Sequence, residues 1–326
     1  MARDKRLTRR EFIHYSAAGL AAASAGGVVA GCSGAEAPTM PVRTLGATGL
    51  QVSALSFGGG SQFLANPDGE WEVMLERAVA MGINLFDTSS SYQWEAGMSS
   101  EERFGEVLSP IRDQLIISTK FDSRDPSEAM QEFERSLERM RTDHVDILFL
   151  HAMAPQDDVA AIETGTYAML RRLKEEGTAR FIGFSSMDSA ERSREAIEAL
   201  DFDVALLAMN ATSYGNFVAE ALPSAREKNV GVMAMKVMRD IVGQSATAEE
   251  LLAYALSLDG VATALIGHHG MPTLEENVRI VQAIGSGAAP AMADGERRHL
   301  ESRLAHLAGP HALCWARPGY VDGKLA

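Results

Sequence analysis

The chain of 326 residues carries a formal net charge of −14 and two cysteines. So acidic a surface repels nucleic acid and anionic lipid headgroups, which excludes both as electrostatic partners. Cys32 and Cys314 are too few for a disulfide framework.

The first segment in chain order is a targeting signal. Thr8-Arg9-Arg10-Glu11-Phe12-Ile13 has the twin-arginine export pattern, and an Ala/Gly-rich run follows from Ala17 to Gly31. That run is short and weakly apolar beside the roughly 20 apolar residues of a spanning helix. It ends in Val29-Ala30-Gly31-Cys32, which reads as a lipobox with Cys32 as the expected lipid site. The expected organisation is a signal peptide over 1–31, a Ser/Gly/Ala/Pro-rich tether over 32–41, and one barrel domain with a C-terminal tail over 42–326. The expected location is the cell envelope or periplasm, reached through the twin-arginine export machinery. Without the signal the net charge is near −17, so membrane attachment rests only on the lipid at Cys32. Cys314 then has no partner in the chain and reads as a buried apolar thiol.

From residue 42 onward short apolar runs alternate with amphipathic stretches. The runs are Val52–Phe57, Asn84–Phe86, Leu115–Ser118, Val145–Leu150, Phe181–Phe184, Val204–Leu207, Val230–Met233 and Thr263–Ile266. Helical periodicity falls over Trp71–Met81, Ser127–Met140, Asp158–Glu176, Ser189–Leu200, Asn216–Asn229, Ala248–Leu258 and Leu274–Gly285. Continuous apolar strands signal a parallel sheet buried on both faces. About eight strand–helix units in this length predict an α/β fold of the (β/α)8 TIM-barrel type. A doubly wound sheet is the alternative, but Gly58-Gly59-Gly60 is not the glycine fingerprint of the dinucleotide fold.

In such a barrel the reactive side chains stand at the C-terminal strand ends. One run ends in Asp87, with Tyr92 five residues later; the next ends in Lys120, and the next in His151. Each alone has an ordinary structural reading, such as a helix cap or a surface cation. Together they deliver a carboxylate, a phenol, an ammonium and an imidazole to one rim. A phenol near pKa 10 is a poor acid at neutral pH, and a neighbouring ammonium favours its phenolate. The set suits donation of a proton to an oxygen that gains negative charge.

These residues resemble the catalytic tetrad of the aldo/keto reductase family. Arg43-Thr44-Leu45-Gly46-Ala47-Thr48-Gly49-Leu50-Gln51-Val52-Ser53, Gly183-Phe184-Ser185-Ser186 and Leu274-Glu275-Glu276-Asn277 resemble that family's opening segment, fifth-strand segment and last-helix start. The resemblance implies NADP or NAD as cofactor, a small aldehyde or ketone as substrate, and no metal. It places Asp87, Tyr92, Lys120 and His151 as catalytic residues. It places Ser185, Ser186, Asn210, Met235, Lys236, Gly267, Glu276 and Asn277 around the cofactor.

The departures from the family pattern are specific. Leu206 stands where a glutamine usually meets the nicotinamide carboxamide, and Met235 where a tyrosine often stacks on the ring. Thr273 replaces the usual basic residue for the 2′-phosphate. His268 and His269 are adjacent and have no further ligand cluster, so a metal site is not expected, although their imidazoles could reach cofactor phosphates. Trp94 and Met98 are expected beside the substrate, and the tail with Trp315 and Tyr320 over the barrel mouth. The rival function is an exported ligand-binding lipoprotein that keeps the barrel without turnover.

Overall fold

The computed structural model describes residues 39–94, 97–288 and 292–323, so the expected signal peptide, Cys32 and most of the tether lie outside the described residues. Among the described residues no helix is long and apolar enough to cross a membrane. The first element among the described residues is an antiparallel hairpin, β1 (Val42–Thr44) and β2 (Gln51–Ser53), that packs on the N-terminal end of the barrel. Its buried Leu45 lies against Gly231, and the Ala47 N–H donates to the Asn229 carbonyl at 2.8 Å.

Eight parallel strands follow: β3 (Leu55–Gly58), β4 (Leu85–Asp87), β5 (Ile116–Phe121), β6 (Val145–Leu150), β7 (Ala179–Ser186), β8 (Val204–Ala208), β9 (Gly231–Met235) and β10 (Val261–Gly267). They pair in sequence order, and β10 closes on β3, which makes the predicted barrel. All six residues of β5 and of β6 are buried, because the barrel interior takes one face and the helix ring the other. Phe57, Phe63, Phe86 and Phe104 pack together with ring centroids 5.2–6.3 Å apart, joining the interior to the helix layer.

Four helical features depart from the sequence expectation. Helix Ser100–Leu108 starts at Ser99, whose side chain accepts from the Glu102 N–H while Glu102 accepts from the Ser99 N–H. This Ser-x-x-Glu capping box was readable, but the stretch is short and rich in charge. The expected helix 158–176 is interrupted at Gly165, where a π-turn spans Glu163–Tyr167. The expected helix 216–229 divides ahead of Pro223 into Phe217–Glu220 and Leu222–Glu227. A further helix, Asp294–Leu304, precedes the tail.

His268 follows β10 and is fully buried, its ring 5.4 Å from that of Phe57. Its Nδ1 lies 3.3 Å from the Asn277 amide nitrogen. It therefore does not reach cofactor phosphates, contrary to the sequence expectation. Burial without a counter-charge pushes its pKa down to about 3. The folded value lies below the unfolded one, so the contribution to stability is complete above about pH 6.5 and falls as pH drops toward 3. The ceiling is roughly 5 kcal/mol. His268→Phe is expected to flatten the fall of the urea midpoint between pH 6 and 4; an unchanged slope contradicts this assignment.

Gly105 tests the packing of two helices. A Cβ there falls 2.2 Å from the Arg139 carbonyl oxygen, on the backbone of helix Pro126–Met140. Backbone cannot rotate away, so Gly105→Ala is expected to cost about 1–3 kcal/mol as overpacking. A wild-type denaturant midpoint for this variant would show that the helices separate freely.

Candidate active site

The C-terminal ends of β4, β5 and β6 bring Asp87, Lys120 and His151 to one rim, as the strand register requires. Past Asp87 the chain stays on β5: the Thr88 N–H donates to the Ser118 carbonyl and the Ser90 N–H to that of Lys120. A turn closed by the Tyr92 N–H on the Ser89 carbonyl then carries the phenol back over the strand ends.

Lys120 Nζ donates to Asp87 Oδ2 at 2.5 Å and to the Thr88 carbonyl at 2.6 Å, and both side chains are 1 % exposed. Ser118 donates to the other Asp87 oxygen at 2.7 Å. The ammonium lies 4.9 Å from the centroid of the Tyr92 ring. His151 meets the same ring edge-on with centroids 5.7 Å apart. Its Nδ1 is 2.7 Å from Asp122 Oδ1, so a proton on Nδ1 and an Nε2 facing the rim are the tautomer that this bond assigns. Burial opposes the charged imidazole, yet the hydrogen bonds to Asp122 and Asp322 outweigh it and raise the pKa above the usual histidine range.

The tail supplies the residue that sequence reasoning did not foresee. Trp315 is buried against Tyr214, and beyond it the chain returns to the rim. There Asp322 Oδ2 accepts from the Tyr92 hydroxyl at 2.8 Å and lies 3.7 Å from His151 Nε2. Its Oδ1 accepts from Lys236 Nζ at 2.5 Å and from the Tyr320 hydroxyl at 3.0 Å. Burial alone would raise the Asp322 carboxyl, but Lys236 and His151 hold it well below the usual carboxylate range. For Tyr92 the balance runs the other way: burial first, then the Asp322 and Asp87 charges, raise its pKa well above the ordinary phenol value. The expected lowering by Lys120 is thus not seen with the tail in place, because Lys120 already has Asp87 as its partner.

A cleft of about 400 Å³ runs outward from this centre. Asp87, Tyr92, Leu206, Met235, Lys236, Gly267 and Asn277 line it, with Arg239 and His269 further along. Ser185, Ser186, Asn210 and Glu276 are not among the lining residues. The Ser185 hydroxyl accepts from the Ala152 N–H, Ser186 donates to the Met153 carbonyl, and Glu276 is exposed. Asn210 Oδ1 takes two bonds from Thr212, and its amide nitrogen is buried without a partner. The Thr273 hydroxyl turns back to the His269 and Gly270 carbonyls. Among the described residues no group of three or more potential ligands could hold a metal ion.

Asp122 and Asp322 are the rim carboxylates that sequence reasoning missed. Asp122 had a signal, two residues beyond Lys120 at the same rim. Asp322 had none, since nothing local ties it to β4 more than 200 residues away.

Comparison with known proteins agrees with this geometry. The model of the aldo/keto reductase family matches residues 54–240. L-galactose dehydrogenase of Arabidopsis thaliana is 28% identical, over 75% of this chain and 89% of the relative. D-threo-aldose 1-dehydrogenase of a Pseudomonas species is 29% identical, over 59% of this chain and 67% of the relative. A solved structure from Pseudomonas aeruginosa, proposed as an aldo-keto reductase, is 26% identical with a TM-score of 0.64, covering 76% of this chain and 97% of its own. An aldo-keto reductase of Bacillus halodurans in its holo form has a TM-score of 0.67 at 21% identity, over 81% and 96% of the two chains, a likeness of fold.

Proposed function

Because the chain belongs to the aldo/keto reductase family, we propose that this oxidoreductase uses NADPH or NADH to reduce an aldehyde or ketone, with Tyr92 as the proton donor. The observation that carries the reading is the convergence of the Tyr92 phenol with the Lys120–Asp87 pair and the His151 imidazole at one barrel rim.

The cleft fits an anionic dinucleotide. Its outer part has the Arg239 guanidinium and the start of helix Gly270–Gly285, whose positive dipole end favours phosphate even though Asn66 Oδ1 takes the Gly270 N–H and Pro272 has none. Its inner part has Leu206 and Met235, an apolar floor for a flat ring. A bound reduced nicotinamide supplies the hydride. Lys120, fixed by Asp87, keeps a positive charge under the Tyr92 ring as the phenol gives its proton to the carbonyl oxygen. His151 Nε2 orients that oxygen, with Asp122 holding the imidazole. Leu206 offers no hydrogen bond to a carboxamide, and a buried amide left unpaired costs about 1–3 kcal/mol. We therefore expect cofactor binding weaker than is usual in the family, without strong preference for the 2′-phosphate.

Tyr92→Phe is expected to lose roughly 10²–10⁴-fold in turnover of any accepted carbonyl compound. Calorimetric affinities for NADPH and NADH are expected to stay near wild type and within a few-fold of each other. Turnover by Tyr92→Phe at the wild-type rate removes the assignment, and binding of neither cofactor at millimolar concentration favours the rival ligand-binding lipoprotein.

The twin-arginine motif and Cys32 support an exported, lipid-anchored protein. Lysine at both Arg9 and Arg10 is expected to leave the protein in the cytoplasm, and Cys32→Ala to release it from salt-washed membranes. A Cys32→Ala protein that still sediments with membranes would mean that lipid is not the anchor.

A further inference from the structure

The carboxylate of Asp322 occupies the place where a carbonyl oxygen has to lie if Tyr92 is to protonate it. One Asp322 oxygen takes the Tyr92 hydroxyl, and the other takes Lys236. We propose that Asp322 is a tethered occupant of an anion subsite built around Lys236, and that the substrate is a carbonyl compound with a carboxylate beside the carbonyl, a 2-oxo acid, which displaces it. This rests on the reductase reading for the carbonyl step, while the subsite itself rests on the residues around Asp322.

The charge count favours an exchange of anion for anion. The Lys236 and Asp322 side chains are 8 % and 10 % exposed, so each is nearly cut off from water. If the tail left and nothing replaced it, Lys236 would face the cleft as a cation without its anionic partner, so the vacated place favours another anion. A neutral aldehyde offers no compensating charge, whereas a carboxylate does. Arg239 adds positive charge to the same cleft: its guanidinium lies 5.4 Å from the Tyr320 ring centroid and donates to the neutral Ser61 hydroxyl at 2.9 Å. Asp188, exposed beyond β7, also feels the Lys236 charge.

The geometry gives the spacing of the two groups. Asp322 offers its oxygens separately to Tyr92 and Lys236. In a 2-oxo acid the ketone oxygen and the nearer carboxylate oxygen are set only one carbon further apart. The ketone oxygen then takes the Tyr92 bond beside His151, and the carboxylate takes the Lys236 bond.

Both partners are held for this contact. Lys236 has φ +58, a left-handed conformation that is uncommon outside glycine, and it sends Nζ back to the rim. Gly323 has φ +80, and a Cβ there would fall 2.1 Å from Tyr92 Cδ1, so the tail backbone lies directly on the phenol ring. Tyr320 completes the seat, its hydroxyl on Asp322 Oδ1 and its ring 5.2 Å from Lys236 Nζ.

The test reads binding, without turnover. Pyruvate and its neutral amide, pyruvamide, are titrated calorimetrically into wild type, Asp322→Ala and Asp322→Asn, with circular dichroism to show that each is folded. A tethered competitor acts at high effective concentration, so Asp322→Ala is expected to bind pyruvate at least about tenfold more tightly than wild type. Pyruvamide is expected to change by less than about threefold. Asp322→Asn, which keeps the shape without the charge, is expected to follow Asp322→Ala. Adding Lys236→Met to Asp322→Ala is expected to abolish the gain for pyruvate. Equal gains for pyruvate and pyruvamide, no gain in either variant, or a gain that survives Lys236→Met each overturn the proposal. A gain seen with NADPH or inorganic pyrophosphate but not with pyruvate also overturns it, by giving Lys236 to the nucleotide. Tighter pyruvate binding without any reduction would leave the subsite standing and reject the reductase reading.

Discussion

The site is organised by one buried ion pair, Lys120 with Asp87. Two opposite charges at 1 % exposure each sit where neither can reach water, so each is tolerable only because of the other. The remaining capacity is also used: Ser118 bonds the second Asp87 oxygen, and the Thr88 carbonyl accepts from the ammonium. The pair ties the end of β4 to the end of β5, and the chain leaving Asp87 is thereby held against β5 as far as the turn that presents Tyr92. Removing either partner leaves a buried unpaired charge and frees that turn together. The position of the phenol is thus a consequence of the pair.

The same saturation limits what Lys120 can do for acidity. An ammonium already neutralised by a carboxylate at 2.5 Å exerts a small net field on a ring 4.9 Å away. Burial and the Asp322 charge then dominate, and Tyr92 is a weaker acid than a free phenol while the tail is seated. With the tail seated the site is closed in two senses: Asp322 takes the hydrogen bond of the proposed donor, and its charge holds the proton there. Withdrawal of the tail reverses both, since it frees the hydroxyl and removes the second-largest cause of the raised pKa.

What was legible in the sequence was what is local. Val145–Leu150 can be recognised as a barrel strand because every residue in it is apolar save Asp146, and the polar residue that follows a strand must emerge at the rim. Asp87, Lys120 and His151 could therefore be placed together from three separate stretches of chain. Helix Ser100–Leu108 was missed although its capping box is local, because its charged residues obscure the apolar period. Asn210, Ser185 and Ser186 stand at strand ends as expected but bond inward, a matter of side-chain rotamer that spacing does not determine. His268 and His269 are adjacent in sequence, yet one is fully buried on Phe57 and the other lines the cleft, because consecutive residues at a strand end face opposite ways.

Asp322 was not legible because its meaning depends on where the tail returns. Three residues of tail chemistry, Tyr320, Asp322 and Gly323, gain their role only when Trp315 is anchored under Tyr214 and the chain is aimed back across the mouth. That ordering has a physical consequence. The barrel closes by pairing β10 to β3, so every strand of the rim precedes the tail in the chain. Lys236 and the tail carboxylate also come from elements far apart in sequence, so neither can be paired until both are in place. The pair that covers Tyr92 is thus one that the strand ladder of the barrel does not itself contain, since one of its two partners comes from the tail.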